Sequence, residues 1–65
     1  MSAQYETYVD QAGEVRWRLR DENGEIIAVS EGYNSLTGAI KGIAAVREVA
    51  ADAEIEDLTG STGGG

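Results

Sequence analysis

Cysteine and histidine are both missing from this 65-residue chain, and lysine occurs only once, at Lys41. Without cysteine no disulfide can form, and without either residue the common zinc sites are excluded. General acid–base or nucleophilic work would fall to carboxylates, hydroxyls, tyrosines or Lys41, which argues against an enzyme. No stretch alternates carboxylates around a glycine as a calcium loop does, and no glycine-rich loop joins a strand to a helix as a phosphate cradle. Neither cofactor nor metal is expected. No apolar run approaches the ~20 residues of a membrane span. The start, "MSAQYET", has no basic-then-apolar leader pattern, so the chain reads as cytoplasmic.

Positive charge is also scarce: five bases face twelve acids, a formal net charge of −7. A diffuse acidic excess keeps a protein soluble and disfavours nucleic acid or an anionic membrane as partner. Acidity with few lysines also fits a halophile, because repulsion is screened within ~3 Å at 1 M salt. Length is short as well. A chain of this size buries only ~60% of its unfolded surface. With disulfide and metal excluded, a partner subunit is the remaining support for so small a core, and a homodimer is expected.

Three strands are expected first. "QYETYVD" (4–10) alternates and is rich in tyrosine, threonine and valine; "EVRWRLRD" (14–21) sets Val15, Trp17 and Leu19 against Arg16, Arg18 and Arg20. "EIIAVSE" (25–31) is more uniformly apolar, as a strand covered on both faces tends to be. Gln11-Ala12-Gly13 fits a three-residue loop, and Asn23-Gly24 predicts a two-residue hairpin turn placing Glu22 opposite Glu25. The resulting meander builds one apolar face around Trp17. Its other face pairs Glu6 with Arg18, Tyr8 with Arg16, Arg16 with Glu31, Arg18 with Val29 and Arg20 with Ile27. Opposed unlike charges add roughly 0.2–1 kcal/mol each in a sheet, so a solvated face knitted by Glu6 and Glu31 is the plain reading of the arginine row.

A helix follows, capped by Asn34 or Ser35. From Leu36, apolar positions Ala39, Ile40, Ile43, Val46 and Ala50 form a stripe to lay on the Trp17 face. Gly38 and Gly42 each cost ~1 kcal/mol against alanine inside a helix. With Ala45 and Val49 they line a small-residue flank suited to the close approach of a second helix. "AEIEDLT" (53–59) alternates Ile55 against Glu54 and Glu56 and reads as a final strand; 60–65 reads as a flexible glycine-rich tail. The expected fold is α+β, a single βββαβ domain over 1–59.

The run "GEVRWRLRDENGEIIAVSEGY", the helix spacing in "TGAIKGIAAV" and the ending "DAEIEDLT" together resemble the YegP-like family of small uncharacterised proteins, over roughly residues 5–59. The resemblance implies units of three strands, a helix and a strand, two of which share one sheet and exchange their last strands. A chain with one unit then implies a homodimer, with Gly38, Gly42 and Ala45 against the neighbouring helix and Ile55 and Leu58 in strand pairing with the other subunit. The family carries no activity, cofactor or catalytic residue to transfer.

Several functions compete on the residues themselves. A small non-catalytic interaction or accessory protein with an unidentified protein partner is the preferred one. The face of Tyr8, Arg16, Arg18 and Arg20 is the candidate binding surface, and could instead take an anion or single-stranded nucleic acid. The facing acids and the net charge weigh against a polyanion. Terminal glycines also suit conjugation or sulfur carriage, since they pass a narrow channel, although three strands before the helix depart from the ubiquitin-like pattern.

Overall fold

The computed structural model describes residues 2–60. An antiparallel sheet runs in the order β1 (Gln4–Val9), β2 (Val15–Arg20) and β3 (Ile26–Val29); α1 (Leu36–Val49) and a 3₁₀ turn at Ala50–Asp52 follow. β1 and β2 pair as expected, Tyr5 with Leu19, Thr7 with Trp17 and Val9 with Val15. Their loop closes through Asp10, whose Oδ1 accepts from the Ala12 and Glu14 N–H groups at 2.9 Å each, while Gly13 turns the chain at φ 84°.

The second hairpin departs from the two-residue turn. It repeats the first: Asp21 Oδ1 accepts from the Asn23 and Glu25 N–H groups, and Gly24 takes the left-handed conformation at φ 86°. Asp21, not Glu22, closes on Glu25. Asn23 stays out of the left-handed region that a two-residue turn would require. The longer loop would slip the ladder by one residue, but a bulge absorbs it. Arg20 pairs with Ile26 where Ile27 was expected, Ile27 is the extra residue, and Leu19–Ala28 and Arg18–Val29 are preserved.

Beyond β3 the chain leaves the ladder at Ser30, whose Oγ accepts from the Trp17 N–H at 2.9 Å. It rejoins at Tyr33, which exchanges two backbone hydrogen bonds with Val15. Ser35, not Asn34, caps α1 by accepting from the Gly38 N–H at 3.1 Å. The helix packs on the Trp17 face. Ala39 is fully buried, Trp17 is 6% exposed, and Tyr5 meets the indole edge-on with ring centroids 5.6 Å apart.

The helix is rolled away from the expected stripe. Ile43 and Val46 are half-buried, as are Gly38 and Gly42, but Leu36, Ile40 and Ala50 are exposed. The cause is Tyr33. Its ring lies on the glycine flank, where a β-carbon on Gly42 would stand 2.7 Å from Tyr33 Cζ, and one on Gly38 would stand 3.6 Å from Cδ1. Within one chain the glycines thus admit a tyrosine, and Ala45 beside them is exposed.

One further expectation is corrected and another is not met within a single chain. β3 is not covered on both faces: Ile26, Ile27 and Val29 are 48%, 59% and 55% exposed, because β3 is an edge and α1 lies over β2 and β1 without reaching it. Residues 53–58 belong to no strand, since within one chain they pair with neither sheet edge. Ile55 and Leu58 stand 98% and 83% exposed. Asp57 accepts from both the N–H and the hydroxyl of Thr59, a local turn that ends the segment. Of the expected tail, 61–65 lies outside the described residues.

Candidate functional site

Strand alternation places the three arginines on the sheet face opposite α1, and the antiparallel register brings acids to them. Arg18 Nε donates to Glu6 Oε1 at 2.7 Å, and Arg20 Nε to the same oxygen at 2.8 Å. Arg16 Nε donates to Asp10 Oδ2 at 2.6 Å. Glu31 takes no part in these ion pairs. The chain bends away at Ser30, and Arg16 Nη1 donates to the Ser30 carbonyl at 3.0 Å instead. Arg20 Nη1 likewise donates to the Gly24 carbonyl at 2.6 Å. Tyr8 lies under Arg18, whose guanidinium carbon is 4.9 Å from the ring centroid, in range for a cation–π contact.

These partners set the titration of the acids. Hydrogen bonds from Arg18 and then Arg20 hold the Glu6 carboxyl below its usual range. The Arg16 guanidinium, and next the Glu14 N–H, do the same for Asp10, while Asp10 raises Arg16. Asp10 was missed as a partner from the sequence because it lies in the loop. Its one oxygen closes the turn and the other takes Arg16. Every arginine of the row therefore has its Nε committed to a carboxylate, with three guanidiniums facing two acids. Glu14, near enough to act on Arg16, adds a third carboxylate, so the charge of the row is balanced. Such a balanced row is no polyphosphate track, which needs several uncommitted cations.

No pocket opens among the described residues, and no three acids there converge to hold a metal ion. No helix among them is long and apolar enough to cross a membrane. The feature that stands out is apolar surface. Val9, Leu36, Ile40 and Val49 are each 52–67% exposed, in addition to β3, Ile55 and Leu58.

Comparison with known proteins gives a consistent picture. A family model described as a domain of unknown function (DUF1508) matches residues 10–57. A UPF0339 protein of Methanosarcina acetivorans is 53% identical over 53 residues, covering 82% of this chain and 91% of the relative. One from Stutzerimonas stutzeri is 44% identical over 52 residues, which cover 80% of this chain but 47% of that protein. The solution NMR structure of a protein from Haloferax volcanii superposes with a TM-score of 0.82 at 41% identity, covering 88% of this chain and 97% of that one. That of protein ATU0232 from Agrobacterium tumefaciens gives 0.74 at 40% identity, covering 88% and 92%.

Proposed function

Because this chain belongs to the DUF1508 family, whose members carry no established activity, we propose on physical grounds that it works as a non-catalytic homodimer, an interaction or accessory module. The observation that carries this reading is the mismatch between core and surface. Among the described residues two side chains, Trp17 and Ala39, are buried, while nine large apolar residues are exposed. A lone fold of this size needs outside support, and exposed apolar surface is where a partner supplies it. The YegP-like resemblance supports a shared sheet with exchanged C-terminal strands, which would pair Ile55 and Leu58. The Stutzerimonas relative, about half matched, leaves room for a second unit in one chain.

In this reading the module acts inside the cell, at salt high enough to screen its charge, and the face of Tyr8, Arg16, Arg18 and Arg20 meets an unidentified protein partner. Sedimentation of the full chain at micromolar concentration tests the assembly. Twice the monomer mass is expected, and a compact monomer overturns it. Replacing Arg16, Arg18 and Arg20 together by glutamine should leave the dimer intact and abolish co-purification of a defined partner. Retention of that partner removes the arginine face from the contact.

A further inference from the structure

We propose that Asn23 is a site of spontaneous covalent modification, where the Gly24 nitrogen displaces the side-chain amide as ammonia, and that the β2–β3 turn holds this reaction back until it opens. The inference stands apart from the dimer reading. It begins with an asparagine that the loop does not need. Asn23 avoids the left-handed backbone for which asparagine is favoured in tight hairpins. Ala12 fills the equivalent place in the first loop, with the same hydrogen bonds around it. Asn23 is exposed, and the residue after it has no side chain to shield its nitrogen.

The chemistry requires only base and water. The Gly24 nitrogen, once its proton has gone to base, bonds to Asn23 Cγ. The carbon–nitrogen bond of the side-chain amide breaks, and ammonia leaves with a proton from water. Water then opens the five-membered imide at one of its two carbonyls, leaving aspartate or isoaspartate. One water is consumed and one ammonia released.

In the closed turn the attacking nitrogen is engaged. Its N–H donates to the Asp21 carbonyl at 3.0 Å. The Asn23 and Glu25 N–H groups donate to Asp21 Oδ1 at 2.8 and 3.0 Å, and the Gly24 carbonyl accepts from Arg20 Nη1 at 2.6 Å. The Gly24 peptide therefore cannot swing onto Asn23 Cγ without releasing bonds on both sides of it. Exposed turns open locally at less cost than global unfolding, so the frequency of opening sets the rate. Isoaspartate lengthens the backbone by one methylene, which the Asp21 carboxylate no longer spans in the same way. The new acid also joins Asp21, Glu22 and Glu25 in one short loop. Conversion thus keeps the turn from closing as before.

The full chain is incubated in mildly alkaline buffer, with and without denaturing guanidinium chloride, and then digested with trypsin. Peptide 21–41 carries both asparagines of the chain, Asn23 and Asn34, and fragment masses place each amide-to-acid change. Asn23 is expected to convert before Asn34 in both conditions. Without denaturant it should convert at least about tenfold more slowly, the factor that an opening cost of ~1.4 kcal/mol gives. Hydrogen exchange at the Gly24 amide of the folded protein should be slowed by a similar factor, and Asp21→Ala should lower both protections together. Conversion of Asn34 first, or equal rates with and without denaturant, overturns the proposal. So does a Gly24 amide that exchanges freely while Asn23 stays protected, because the guard then lies elsewhere.

Discussion

Glu6 receives two guanidiniums on one oxygen, and Asp10 divides its two oxygens between a turn and Arg16. Both carboxyls are therefore more acidic folded than unfolded. The sign of the consequence follows directly. A lowered folded value adds stability that is present above the unfolded value of about 4 and disappears as pH falls through the folded one. Acid also relieves the chain's negative charge, an opposing effect, so the comparison must be with a variant that keeps the rest constant. Replacing Glu6 by glutamine removes the shared acceptor. It should lower the urea midpoint at neutral pH, and the gap to the unmodified protein should close below about pH 4, where Glu6 would be protonated anyway. A gap that stays constant with pH would mean that the arginines do not hold Glu6 in solution.

At the scale of elements, α1 is placed by a residue outside it. Tyr33 occupies the glycine flank, so the usual gain of ~1 kcal/mol for glycine to alanine in a helix should be reversed at Gly42. Gly42→Ala is expected to destabilise the protein, because the new methyl overlaps the phenol ring. In a Tyr33→Ala background the same change should stabilise it by about 1 kcal/mol, the bare helix propensity. Urea unfolding of the four proteins reads this sign change directly, and an equal effect in both backgrounds would separate Tyr33 from the glycines. The strands and the first loop were legible in the sequence because alternation and turn residues act locally. "DQAGE" and "DENGE" also share the spacing of an aspartate, a glycine and a glutamate. That repeat carried the signal for two like loops, outweighed in the reading by the strong Asn-Gly pair. The roll of α1 was not legible, since it depends on where Val15 pins Tyr33. Nor could the state of 53–59 be read locally. Its alternation specifies a strand, but a strand also needs an edge, and this segment finds none in its own chain.

The whole molecule sets two electrostatic effects against each other on pairing. Ion pairs between two copies would be attractive and weaken with salt, but exposed pairs contribute only ~0–1 kcal/mol each. Bringing together two chains of net charge −7 is repulsive, acts over the whole surface, and is also relieved by salt. The screening length shrinks from about 30 Å at 0.01 M to about 3 Å at 1 M, so the long-range repulsion is lost first and the close contacts last. Burying exposed apolar residues such as Ile55, Leu36 and Ile40 would carry no such penalty at high salt. The net result should be a dimer that tightens as salt rises, with a melting temperature that rises alongside it and depends on protein concentration, because folding and association are linked. Sedimentation and thermal melts across potassium chloride measure both. If association weakens steadily with salt, close charge pairs dominate the interface, and exposed apolar surface is not what joins the two chains.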